Sequence, residues 1–256
     1  MRIVSTVIFI MFSLSGLRAQ EANKLDSLLK LLAKAKEDTN KAILLLRIAD
    51  YYETNNQDSA NSYLLRSKVL SESLNYTKGL FHYNEQSAIV SFTQGEYPGA
   101  MEKSLAALAL ARQLKDSFLV IGILNNIGII YSYLGQFDEQ LAYILQTNKA
   151  LEAMKDSTRL SGSYHNLANC YYNLKQYRRT IEYAHLSIFI HIGRKKKNDY
   201  LNRVYATLGQ TYEELNINDS ALFYYDKAIK ESMRLNDKYA EGSIYGYQCN
   251  LYATLG

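Results

Sequence analysis

The chain has 256 residues, 48% of them hydrophobic and 21% charged, with a formal charge of +4. That balance excludes a disordered chain. Without Arg2 and Arg18 the count is 27 basic against 25 acidic side chains, or +2, which argues against nucleic acid or an anionic membrane as a partner. One proline and 23 tyrosines suit long helices: an interior proline costs about 3 kcal/mol, and tyrosine has an apolar ring with a polar tip for the edges of helix layers.

Met1–Ala19, MRIVSTVIFIMFSLSGLRA, has a basic start at Arg2, an apolar core over Ile3–Leu14 and a small-residue exit. This predicts a signal peptide over 1–19, cut after Ala19, and so an exported, periplasmic or secreted protein. The apolar run is shorter than the roughly 20 residues of a bilayer span. A retained anchor is the alternative to cleavage. The residue directly after the cut is Gln20, not the cysteine of a lipoprotein precursor, and no later stretch is long and apolar enough for a membrane helix. Segment 20–39 contains Lys24–Asp38, with leucines at 25, 28, 29, 31 and 32, which predicts an amphipathic N-terminal capping helix.

From residue 40 the chain repeats itself. Gly128 is matched by Ala49, Ala88, Ala168 and Gly209, at steps of 39, 40, 40 and 41. Tyr131 is matched by Tyr52, Ser91, Tyr171, Tyr212 and Tyr252, and Gly135 by Gly95 and Gly256. A second series is Ala60, Ala100, Gln140, Thr180 and Ala221, and its last four members are followed one position later by the large apolar Met101, Leu141, Ile181 and Leu222. Fixed self-similarity of this length predicts stacked helix pairs, a helix A and a helix B in each, which bury their stripes only against neighbours. The predicted array spans 40–256: five full units (about 40–75, 76–116, 117–156, 157–197 and 198–237) and a half unit over 238–256. Polar junctions such as Leu74-Asn75, Lys115-Asp116-Ser117 and Asn236-Asp237 supply end caps. The basic run Arg194–Lys197 falls between two pairs and reads as a solvated linker, with a docking patch for an acidic partner as the sharper reading.

The order small–x–x–Tyr–x–x–x–Gly–x–aromatic, then Ala in the second helix, resembles the tetratricopeptide repeat. Asn126-Ile127-Gly128, Tyr131, Gly135 and Phe137 carry it, as do Leu208-Gly209, Tyr212, Ala221 and Ala228. The resemblance implies an all-α fold, a right-handed solenoid of antiparallel helix pairs. The units are longer than the family's usual length of about 34 residues and lack its closing proline. Ser91 departs from the pattern, and Lys175 and Asn216 stand where the turn glycine belongs. Asp26-Ser27-Leu28-Leu29 and the stretch Lys36–Lys41 are similar to the exported repeat region of bacterial sensor histidine kinases. That likeness implies an alternative function, the sensory part of a two-component protein whose membrane helix and kinase are absent from this chain. The sequence stops after a helix A, which predicts contact of that uncapped end with another chain or a downstream segment.

No phosphate-binding loop, zinc-protease motif or nucleophile elbow is present. His185 and His191 are six apart and fall on different helix faces, so no metal or cofactor site and no enzyme are expected. Cys170 and Cys249 lie a whole unit apart, too far for the roughly 7 Å of a disulfide. What remains is binding of a protein or peptide. The resemblance puts helix A on the concave face, which maps the groove onto Glu85 and Gln86, Asn125 and Asn126, His165, Asn166, Asn169 and Asn173, and Arg203 and Gln210. Asparagine offers both a donor and an acceptor, which suits an extended backbone whatever its side chains. The competing reading has these asparagines bridging adjacent helices or facing water.

Overall fold

Residues 24–53, 56–192 and 200–255 are described by the computed structural model; the leader at 1–19, the basic run at 194–197 and Gly256 lie outside them. These residues form twelve helices and no strand. They are α1 (24–34), α2 (Thr39–Tyr52), α3 (Gln57–Ser73), α4 (Thr77–Thr93), α5 (Tyr97–Gln113), α6 (Ser117–Tyr133), α7 (Phe137–Ala153), α8 (Ser157–Asn173), α9 (Tyr177–Ile192), α10 (Leu201–Glu214), α11 (Asn218–Leu235) and α12 (Lys238–Leu255). The chain divides into two compact units, Met1–Ile123 and Leu124–Gly256.

A left-handed residue closes most of the helices. Asn75, Gly95, Lys115, Gly135, Lys155 and Lys175 follow one another at twenty-residue steps with φ between 50° and 78°, and Asn216 and Asn236 do the same further on. At each, the next residue's N–H reaches back five positions, as Tyr76 does to Ser71 (2.8 Å) and Gln136 to Tyr131 (2.9 Å). The paired bonds satisfy carbonyls that a helix end would leave bare. Starts are capped from side chains: Asp38 accepts from the Lys41 N–H, and Asp156 from those of Thr158 and Arg159.

In the first unit, Leu25, Leu28 and Leu29 of α1 pack with buried Leu32 against Ala42, Leu45, Ile48 and Leu70. The next layer joins Leu46, Ala49 and Leu64 to Val90 of α4. In the second unit Ile144, Leu167, Cys170 and Tyr171 form one cluster, and Ala168, Ala184, Val204, Leu208, Ala221, Tyr225 and Leu251 belong to another. The recurring position Ala60, Ala100, Thr180 and Ala221 of the B helices is fully sealed. Within a pair, ring stacks on ring: Tyr52 on Tyr63, Tyr131 on Tyr143, Tyr171 on Tyr183 and Tyr212 on Tyr224, with centroids 5.4–5.8 Å apart. Each such contact contributes about 0.5–1.5 kcal/mol beyond its burial. The second pair has Ser91 and Lys103 at these places and so has no stack.

Hydroxyls also join helices. The Ser67 hydroxyl donates to the Ala42 carbonyl (2.9 Å), and those of Ser161 and Ser187 each donate to the other's carbonyl. The ion pairs among the described residues all lie within four positions of sequence, from Lys30–Asp26 to Lys238–Glu241. None ties one helix to another. Successive A helices touch: α2 meets α4 in the first unit, and α8 meets α10 and α10 meets α12 in the second.

Two helical glycines separate packing from propensity. A Cβ on Gly209 would lie 2.4 Å from the ring of Tyr225, a side chain with no exposed surface, whereas one on Gly246 meets nothing within 4 Å. Alanine is the better helix former by about 1 kcal/mol at either place. Gly246→Ala is therefore expected to stabilise by up to that amount. Gly209→Ala should destabilise by about 1–3 kcal/mol in urea unfolding, because overpacking outweighs propensity. Lys175 holds φ 57°, where a side chain costs about 1–2 kcal/mol. Lys175→Gly is expected to raise the unfolding midpoint, a gain partly offset by glycine's extra chain entropy.

Candidate functional site: the A-helix face of the second unit

Residues four, seven and eleven positions apart share one stripe of a helix. On α8 that stripe is Gly162, Asn166, Asn169 and Asn173; on α10 it is Arg203, Thr207, Gln210 and Glu214. On α12 it is Ser243, Tyr247, Asn250 and Thr254, and α6 contributes Asn126, Ile129 and Tyr133. The surface so assembled is rich in amides and hydroxyls and poor in charge.

Three hydrogen bonds lock it. Asn166 Nδ2 donates to Asn125 Oδ1 at 2.7 Å, joining α8 to α6. The Thr207 hydroxyl donates to Asn169 Oδ1 at 2.7 Å, joining α10 to α8. Asn169 Nδ2 in turn meets Nε2 of His165 at 3.1 Å. Asn166 is thus bonded to Asn125, one position from its repeat counterpart Asn126, which is half-buried beside it. Bridging does not exhaust these groups, since an amide has two donor hydrogens and an acceptor with two lone pairs. Asn173 is exposed and Gln210 half-buried.

His165 lies under this surface. Its ring is 7% exposed and parallel to that of Tyr200, 5.9 Å away, while His191 meets the same tyrosine edge-on at 6.1 Å. Burial, and then the neighbouring positive charge of Arg203, push His165 down to about 4. The Arg203 guanidinium is exposed. Beneath it, fully buried Asn202 donates to the Ser232 hydroxyl at 3.1 Å. At the other end of α10, Glu213 accepts from Tyr225 and Glu214 from Tyr177 (3.1 Å). Burial and these carboxylates push the half-buried Tyr172 phenol up to about 12.

Glu85 and Gln86 belong to the first unit. Glu85 is half-buried and lies 3.0 Å from Nδ1 of His82; the Gln86 Oε1 is buried without a partner. Sequence reasoning passed over Thr207, Tyr200 and Glu214. Thr207 was within reach, standing 41 residues after Asn166 in the same register. Tyr200 was not, because its place over His165 depends on how the chain returns from α9.

Among the described residues no three histidine, cysteine or acidic side chains gather as a metal site would require, and no helix is long and apolar enough to cross a membrane. Cys170 and Cys249 are free; burial, then Asp138, push the Cys170 thiol up to about 12, which leaves it unreactive. The surface holds amides, hydroxyls, one guanidinium and one carboxylate. Such groups exchange hydrogen bonds with a ligand.

Residues 203–232, covering most of α10 and of α11, match the family model of the tetratricopeptide repeat. Among solved structures, the apo form of RapI matches with a TM-score of 0.73 at 15% identity, over 80% of this chain and 74% of that one. BtubC from P. vanneervenii matches with a TM-score of 0.71 at 17% identity, over 85% and 90%. A Rap protein complexed with competence and sporulation factor matches with a TM-score of 0.64 at 14% identity, over 93% and 72%. These likenesses establish the fold, an all-α solenoid of antiparallel helix pairs. No curated protein matches the sequence.

The buried histidine makes acid stability a test of the site. Its pKa is lower folded (about 4) than unfolded (6.5), so the unfolded chain binds the proton more tightly. The stabilisation is complete above pH 6.5 and is lost as pH falls toward 4, at about 1.4 kcal/mol per unit. Urea unfolding from pH 7 to 4.5 should show His165→Gln losing less stability on acidification than the parent, whatever its level at pH 7.

Proposed function

We propose that the protein is a tetratricopeptide scaffold that holds a peptide or protein segment on the A-helix face of its second unit. The observation carrying this reading is the amide ladder of Asn125, Asn166 and Asn169, fixed in place by its own bonds and still able to form more. Fixed amides suit an extended backbone, because they need not be ordered at the moment of binding. The Rap protein whose structure includes competence and sporulation factor has the same fold and supports the reading by analogy. We propose further that the scaffold acts after export, on the strength of Met1–Ala19 alone. The units between 40 and 202 are read as the same repeat from their shared spacing.

Fluorescence anisotropy with a panel of end-blocked, labelled octapeptides of alanine and serine bearing single varied side chains tests the groove. Asn166→Ala with Asn169→Ala is expected to weaken binding about tenfold, two hydrogen bonds at roughly 0.5–1.5 kcal/mol each. Unchanged affinity in a variant of unchanged helicity would remove the assignment.

A further inference from the structure

On the four stripes of the second unit's A-helix face, Arg203 and Glu214 are the charged residues. Both belong to α10 and to one stripe, eleven residues or about 16 Å apart along the axis. Arg203 is exposed and forms no ion pair among the described residues; Glu214 is exposed and takes a hydrogen bond from Tyr177.

Their placement opposes the helix that bears them. A helix is electropositive at its start and electronegative at its end, so a cation in the first turn and an anion in the last each cost about 0.3–1 kcal/mol. Arg203 is the third residue of α10 and Glu214 the last. The next helix follows the opposite and favourable rule, with Asp219 in its first turn and Arg234 in its last. Two charges set against their own dipole and without ionic partners among the described residues add no ion-pair stabilisation there to folding. They face the groove instead, with Asn166, Asn169, Thr207 and Gln210 beside and between them.

We infer that the groove selects an extended polypeptide segment carrying an anion and a cation about five residues apart, the anion at Arg203 and the cation at Glu214. An extended chain advances about 3.3 Å per residue, so five residues span the interval. The Tyr177 hydroxyl donates to Glu214, and Tyr172 stands by the same carboxylate. The inference rests on the groove proposed above and adds a charge pattern to it. The two charges are either the ends of a free short peptide or side chains within a longer segment.

Four labelled probes added to the full chain decide between these. One is an end-blocked alanine–serine octapeptide with lysine and aspartate four positions apart, and the second replaces them by glutamine and asparagine. The even spacing keeps both on one face of an extended chain, while their side-chain reach covers the rest of the interval. The third is a five-residue alanine–serine peptide with free ends, and the fourth is the same peptide blocked at both. The charged member of at least one pair is expected to bind about two- to fivefold tighter per charge. A gain in the first pair assigns side chains, and a gain in the last assigns termini. Arg203→Glu should shift preference to a probe with two lysines at that spacing, and Glu214→Lys to one with two aspartates. Both substitutions improve the match to the dipole, so both variants should fold. If neither moves the preference while binding still depends on Asn166, the charge pattern is overturned and the groove stands. If no probe binds, both fall.

Discussion

The length of the helices is the constraint on which the rest depends. Six consecutive helices, α3 to α8, have 17 residues each, and a left-handed link recurs every twenty. Equal lengths and identical turns mean that, within the second compact unit, a residue and its counterpart one repeat on occupy the same level of neighbouring A helices. That is why Asn166 meets Asn125 across 41 positions and Thr207 meets Asn169 across 38. One helix a turn longer would slide about 5 Å past its neighbour and separate every such pair.

Given that register, the helices are joined by two kinds of contact. Aromatic stacks fasten helix A to its own helix B, and small residues let the two approach, as Gly209 does beneath Tyr225. Amides and a hydroxyl fasten one layer to the next, as in the bond from Asn166 to Asn125 and that from Thr207 to Asn169. The second kind is polar and partly buried, so it favours one alignment: a slipped helix leaves its donors without their acceptors. The same groups that set the alignment also form the candidate binding face.

The architecture was legible because it was written several times over. Tyr131, Tyr171 and Tyr212 recur because each packs on a tyrosine of its partner helix, and a demand met identically in every pair leaves a period. The turns were legible for the same reason, with Lys175 and Asn216 holding the left-handed conformation that glycine holds at Gly135. The site was legible only as a set of positions. That Asn166 bonds to Asn125 depends on how far α8 is rotated against α6, and no spacing states a rotation. His165 had been placed in the groove by register, and it is indeed on α8, but the ring of Tyr200 covers it. The contrary placement of Arg203 and Glu214 became visible only once α10 had ends, at Leu201 and Glu214.

Among the described residues ion pairs stay within four positions of sequence, which has a consequence for the environments the molecule can occupy. Cohesion between layers relies on apolar side chains, hydroxyls and amides, none of which is weakened by dissolved electrolyte as an exposed ion pair is. Brine would therefore loosen a charged ligand long before it loosened the stack. The scaffold and its occupant respond to ionic strength on separate scales.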